Sequence, residues 1–497
     1  MTATSPLCFP ARTLLALAAA ALLAPGWLPG ASPTPLAAQG LTAAQEARID
    51  SIFDRWSDPG APGVSVAVTR NGETVLSRGY GSAQLEYGIP VSPATVFHVA
   101  SVSKQFTTFA IALLERDGLL SWDDDVRVHL PELPDLGASF TLRHLANHTS
   151  GVRDQWELLA MAGWRLDDVI TREQILSLMS RQRELNFEPG SEYLYSNMGY
   201  TLLAEVVERV SGQGFGEFLE DRVFGPLGMD RTHVHSDHTM IVPNRAYSYR
   251  PLPEGGWQKA VLSYANQGAT SLFTTAEDLA LWIREMEEPR VGDREMWAEM
   301  SRPAALTNGE TVSYALGLSV ADFRGLETVG HGGADAGFRS AVLHFPEERV
   351  GIVVLGNGAN FNSGGTARAV AEVLLEDRLA PPPEIQASQS GAGNGEASEP
   401  SRPGHGELAQ YQGTYYSPEL DTFYRIRLEE DDLILGHVRQ PDRPLAPRGD
   451  DRFEGSSWPM RILEFQRGED GEIQGFRATG GRVRNLLFLR VGEPAPR

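Results

Sequence analysis

Lysine is nearly absent from this chain of 497 residues: of 43 basic side chains, two are lysines, Lys104 and Lys259, and the other 41 are arginines. Arginine stands wherever a plain positive charge serves. A lysine therefore marks a position that needs what arginine cannot do, which is to give up its proton near neutral pH. Cysteine occurs once, as Cys8; an intrachain disulfide is excluded, and the fold must rest on its core. Long apolar runs are also missing. The stretch from Thr13 to Pro25 is shorter than the roughly 20 residues a bilayer-spanning helix needs, and no later stretch comes close. Positive charge is in deficit, with Lys+Arg 43 against Asp+Glu 65 and a net charge of −22. That is the wrong sign for a protein that tracks phosphates, so no nucleic acid is expected as a partner.

What is present is ordinary for a globular enzyme: hydrophobic residues at 41% and charged residues at 22% exclude collagen-like and wholly disordered chains. The length allows about three domains of ~150 residues, or one large core with an appended module. Arg12 precedes the apolar run, and small residues follow it to Leu36-Ala37-Ala38. Residues 1–38 therefore read as a cleaved secretory signal peptide, leaving a soluble, exported chain that is periplasmic or extracellular. Cys8 falls in the removed segment, which takes thiolate chemistry with it. It precedes the apolar run rather than following it as a lipid-attachment cysteine does.

Alternation at Val64, Val66 and Val68 followed by Asn71-Gly72 predicts a hairpin. Residues 101–117 predict an apolar helix ending at Gly118, and further helices are expected at 198–211, 215–224, 276–286 and 366–379. Thr274 and Glu277 have the spacing of a capping box for the fourth of these. Phe338–Phe345 and Val350–Leu355 predict a second hairpin. Residues 381–405, opened by Pro381-Pro382-Pro383 and rich in Ser, Gly and Glu, read as a disordered linker. From 406 to 497 short alternating runs with turns at Asp470-Gly471 and Gly480-Gly481 predict a small antiparallel β module.

Lys104 lies three residues after Ser101 at the start of the apolar helix, so the two share a face. A buried lysine there has its pKa depressed enough to take the serine proton, activating Ser101 without a histidine. The bland alternative is a capping serine beside a surface lysine. Tyr193-Leu-Tyr195-Ser196-Asn197 is a polar turn before an amphipathic helix, and alone it reads as a capping turn. Gly330-His331-Gly332-Gly333-Ala334 lies just before an expected strand; its glycines permit close approach of a ligand to backbone N–H donors, or simply form a turn.

Together, in this order and at these separations, Ser101-x-x-Lys104, Tyr195-Ser-Asn197 and His331-Gly-Gly333 resemble the three signatures of the penicillin-recognising serine hydrolases. The branch they resemble is that of class C β-lactamases, D-alanyl-D-alanine carboxypeptidases and family VIII esterases. Leu145–Gly151, Pro226–Met229 and Gly268–Leu279 are similar as well. The likeness covers about residues 42–380, and the C-terminal module more loosely resembles lipocalin-like β domains found after such hydrolases. The resemblance implies an α+β fold: a β-lactamase/transpeptidase-like antiparallel sheet flanked by helices, an all-helical subdomain over residues 39–380 together with the sheet, and a small C-terminal β-barrel-like domain.

It also implies acyl transfer on a small amide or ester, whether D-amino-acid peptide, ester or β-lactam. Ser101 is the implied nucleophile, Lys104 and Tyr195 share the general base, and Asn197 binds substrate amide and Lys104. His331, Gly333 and Ala334 line the substrate site, with the N–H groups of Ser101 and Ala334 as oxyanion hole. The implied partner is a small molecule or peptide, cell-wall peptide among the candidates; no cofactor and no metal are called for. His331 stands where many lactamases carry lysine, and a largely neutral imidazole favours peptidase or esterase over β-lactamase activity.

A rival reading rests on His233-Val-His235-Ser-Asp237-His238, the ligand pattern of binuclear metallo-hydrolases. It lacks a clear further ligand set downstream. A non-catalytic cell-wall-binding relative of the hydrolases is the third reading.

Overall fold

The computed structural model describes residues 40–263, 266–382, 404–455 and 458–492. The expected signal segment with Cys8, and all but the ends of the expected linker at 381–405, lie outside them.

Six antiparallel strands form the main sheet: β1 (Val64–Arg70), β2 (Glu73–Tyr80), β3 (Ser319–Phe323), β4 (Leu326–Asp335), β5 (Phe338–Phe345) and β6 (Val350–Gly356). Their spatial order is β3-β4-β5-β6-β1-β2, so the two ends of the catalytic region in sequence pair at the centre, Val66 opposite Val354. Period-two alternation sorts the side chains of these central strands. Val64, Val66, Val68, Ile352 and Val354 join a core with α1 (Ala43–Phe53) and α6 (Ser363–Leu374), while Ala67, Val353 and Leu355 face the other way, into the core of α5 (Ala276–Glu287). At Gly351 a methyl group would stand 2.5 Å from both Ile283 and Thr69, so the glycine sets how closely α5 approaches the sheet. The β1–β2 turn has Asn71 and Gly72 at φ 52° and 77°, the left-handed pair that a tight hairpin requires.

The helical subdomain is built round α2 (Ser103–Arg116), which is buried on every side from Ser103 to Leu114, and α4 (Asn197–Ser211), which packs across it. Several boundaries differ from the sequence expectation. The helix expected from 215 is α-helical over Phe215–Leu219 and loosens into a wider turn over Glu220–Phe224. Thr275, not Thr274, caps α5, accepting from Asp278 N at 3.1 Å; the Thr274 hydroxyl is 2.6 Å from that of Thr232. The helix expected at 366–379 runs over 363–374 because Asn362 caps it through Gly365 N.

Residues 413–491 close into an eight-stranded antiparallel barrel. Two of its strands, β13 (Ile473–Thr479) and β14 (Leu486–Val491) in chain order, flank a loop over 480–485. Its interior is filled by side chains, with Phe476 and Phe488 stacked at 4.7 Å and Tyr415, Leu435 and Phe453 buried around them. The barrel docks on the helical subdomain. Arg153 and Glu419, 1% and 3% exposed, pair at 2.7 Å, and Tyr424 Oη donates to Met161 O at 3.0 Å. Among the described residues no helix is long and apolar enough to cross a membrane.

Candidate active site

Ser101 lies in a tight turn, Ala100–Val102, that precedes α2, rather than on the α-helix itself. The helix cannot extend back through it because Ala100 sits at φ +49°, a conformation an L residue keeps only when its surroundings hold it. They do: Val99 N donates to Leu272 O at 3.1 Å, and Val99 O accepts from Ser340 Oγ at 2.7 Å. The His-Gly-Gly segment is likewise inside a strand, β4, and not ahead of one. A methyl group on Gly333 would stand 2.3 Å from Val99 O, so only glycine lets this strand pass against the serine turn.

Lys104 is fully buried. Its Nζ lies 3.2 Å from Ser101 Oγ and donates to Asn197 Oδ1 at 2.8 Å and to Ala269 O at 2.7 Å. Both side-chain partners are neutral. Burial therefore dominates and brings the lysine down to about 7. Asn197 is held in turn by Asp154, whose Oδ2 accepts from Asn197 N at 2.8 Å and Nδ2 at 2.7 Å. Asp154 caps the helix Gln155–Met161.

The Tyr195 ring centroid is 4.9 Å from Lys104 Nζ. Its buried hydroxyl has no fully formed hydrogen bond among the described residues, although Ser101 is the neighbour that most favours its ionised form. Burial outweighs that and pushes the phenol above its ordinary value. Of the two groups expected to share the base role, Lys104 is the one whose pKa burial brings toward neutrality, while burial raises that of Tyr195.

His331 is buried, and burial first, with the Lys104 charge second, lowers it to about 4. Nδ1 faces Gly332 O, a carbonyl that can only accept, so the proton is on Nδ1 and Nε2 accepts from Tyr314 Oη at 2.9 Å. His148, at φ 62°, lies against the other side of this cluster, 4.1 Å between ring centroids from Tyr195 and 4.6 Å from Tyr314. Ala334 is the next-to-last residue of β4, opposite Arg339.

The fold thus brings Ser101, Lys104, Tyr195, Asn197, His331 and Gly333 into one cluster. The histidine run at 233–238 does not converge. His233 and His235 pack on Phe273, at 5.6 and 4.7 Å, Asp237 accepts from Thr239, and His238 is 3.8 Å from Asp237. Among the described residues no three His, Cys, Asp or Glu side chains are grouped to hold a metal, and this donor set does not fit the metallo-hydrolase reading. Sequence reasoning missed Asp154, Tyr314 and Arg482. His148 falls within the 145–151 stretch already noted as family-like, whereas Arg482, 4.8 Å over the Tyr195 ring, comes from the barrel and left no local signal.

A sheet and helical subdomain enclosing a serine against a buried, proton-releasing lysine define a serine hydrolase of the penicillin-recognising type. The sequence profile of the Beta-lactamase family matches residues 48–376, and the chain belongs to that family. It is 29% identical over 448 residues to a D-aminopeptidase of Gluconobacter oxydans (strain 621H), covering 90% of this chain and 79% of that one. With a D-aminopeptidase of Brucella anthropi it shares 31% identity over 345 residues, 68% of this chain and 62% of the relative. Among solved structures it is similar to an octameric penicillin-binding protein homologue from Pyrococcus abyssi, with TM-score 0.60, 22% identity, and coverage of 90% and 99%. A D-amino acid amidase from Ochrobactrum anthropi SV3 complexed with D-phenylalanine has TM-score 0.58 and 23% identity, over 68% of this chain and 100% of that one. These two structures support the fold.

Proposed function

We propose that this enzyme is an exported hydrolase that cleaves small amides or esters of D-amino acids through an acyl-enzyme on Ser101. The observation that carries the reading is Lys104, dry and 3.2 Å from Ser101 Oγ with a pKa lowered to about 7. Its neutral amine takes the Ser101 proton as Oγ attacks the carbonyl. The backbone N–H groups of Ser101 and Ala334 receive the oxyanion. Tyr195, held as a phenol, passes a proton to the leaving group as its bond to the acyl carbon breaks, and the Lys104 ammonium restores it. Water then attacks the acyl carbon, gives its proton to the lysine, and Ser101 leaves protonated. Asn197 orients Lys104 and offers its amide to the substrate. The D-amino-acid preference is supported by the D-aminopeptidase relatives, and export by the basic-then-apolar pattern of residues 1–38.

The test is turnover, with chelator present, of a p-nitrophenyl ester and of the D- and L-alanine p-nitroanilides by wild type and by Ser101→Ala. Cleavage by wild type alone, with D over L, is expected. An active Ser101→Ala variant contradicts the serine assignment, and preference for L contradicts the substrate class.

A further inference from the structure

One cation at the mouth of this site comes from another part of the chain. The loop 480–485 between β13 and β14 leaves the barrel and lies on the helical subdomain. Arg482 is fixed there by its backbone from both sides. Its N–H donates to Glu157 Oε2 beside Gly481 N, which donates to Glu157 Oε1 at 2.8 Å. Its carbonyl accepts from Asn186 Nδ2 at 2.9 Å. Asn186 Oδ1 then accepts from Arg484 N at 2.8 Å, and Arg484 O accepts from Arg153 Nη2 at 3.0 Å. A methyl group on Gly480 would stand 2.4 Å from Pro459 O and 2.5 Å from Glu157 Oε1, so the loop's first residue must be glycine for this seat to form.

The backbone is therefore tied down while the side chain is left 46% exposed. Neighbouring arginines are spoken for: Arg484 pairs with Glu192 at 3.0 Å and Arg477 with Glu184 at 2.9 Å. The Arg482 guanidinium makes no hydrogen bond among the described residues. Its one ionic neighbour there is Asp154 Oδ2 at 3.9 Å, an oxygen already bonded twice to Asn197. The guanidinium carbon lies 4.8 Å from the Tyr195 ring centroid, and Lys104 Nζ lies 4.9 Å from the same centroid. Together with the 3.2 Å from Nζ to Ser101 Oγ, these separations place the free fork within the reach of at most about four peptide residues from the serine, at ~3.5 Å each. A guanidinium with unused donors matches a carboxylate in shape and charge.

His331 cannot do that work, because it is neutral and both its nitrogens are committed to Gly332 O and Tyr314. From these placements we infer that Arg482 is a specificity-determining residue, contributed by the barrel, that binds a carboxylate of the substrate and selects D-peptides ending in a free carboxylate over their neutral amides. The inference rests on the acyl-transfer reading above. A protonated amine at the same place meets a like charge.

Three peptides test it: N-acetyl-D-alanyl-D-alanine, its C-terminal amide, and D-alanyl-D-alaninamide with a free amine. Each is measured as a substrate and as a competitor of neutral p-nitrophenyl ester turnover, so an uncut peptide still reports its affinity. Wild type is expected to favour the free acid over its amide at least tenfold in kcat/KM or in competition. Arg482→Gln should abolish that ratio, chiefly through KM or Ki, and Arg482→Glu should reverse it in favour of the amide. Taking ratios within each variant cancels any change the substitution makes to the chemistry common to all substrates. A ratio unchanged in Arg482→Gln, a wild-type preference for amide or free amine, or no competition by the acid overturns the inference. Ester turnover persisting in Ser101→Ala would instead overturn the acyl-transfer reading, so the two failures are distinguishable.

Discussion

Lys104 and Asn197 lie 93 residues apart in the chain, and their side chains meet at 2.8 Å in a dry site. A neutral amide oxygen steadies an ammonium less than a carboxylate does, which is why the lysine can approach neutrality near pH 7. The carboxylate that does lie nearby, Asp154, is spent on the far side of Asn197. Asp154→Asn should therefore lower kcat by about 10–100-fold, the size of effect seen when a supporting partner of a site residue is removed. The check is steady-state kinetics with circular dichroism to show the fold is kept; an unchanged kcat contradicts the positioning role.

The direction of the pH dependence follows from the same burial. Below about 7 Lys104 carries its proton and cannot accept another, so kcat/KM should fall roughly tenfold per pH unit on the acid side and level off above it. His331, lowered to about 4, adds no ionisation in that range. In His331→Lys a second ammonium beside Lys104 disfavours the first, and the acid limb should move down by about one pH unit. A limb that stays in place contradicts this reading of His331.

Gly333→Ala tests the packing of the strand on the serine turn. Its methyl group has no room beside Val99 O, and the backbone must shift at the one place where Ala100 is held in a left-handed conformation. Overpacking of this kind costs about 1–3 kcal/mol, read by denaturant unfolding, and activity should fall further than stability.

The barrel contact is tested at Arg153 and Glu419. Removing one partner of a pair that is almost fully buried leaves the other charge uncompensated, at a cost of about 3–5 kcal/mol. Glu419→Gln should lower the unfolding midpoint, while Arg153→Met with Glu419→Leu should recover much of the loss. Equal losses for the single and double variants would contradict it.

Much of this site was legible in sequence because its chemistry is local. Ser101 and Lys104 are three residues apart, and the near-absence of lysine elsewhere makes position 104 conspicuous. Tyr195 and Asn197 flank one cap. Period-two alternation likewise marked the central strands. What was not legible depends on distant packing. The turn that carries Ser101 departs from the α2 helix because Val99 is tied to Leu272 and Ser340. The upward push on the Tyr195 phenol comes from how deeply it is buried. Arg482 reaches the site across more than 280 residues of chain from Tyr195, and its own stretch reads only as a glycine-rich turn of the β module.

The most direct measurement is intact-mass spectrometry of the enzyme mixed with an activated D-alanyl ester and quenched within a turnover, followed by peptide mapping. One acyl group on Ser101 is expected in wild type, with none on Ser101→Ala. An acyl group mapped to another residue, or turnover by wild type with no covalent species and full activity in Ser101→Ala, contradicts serine acyl transfer at this site.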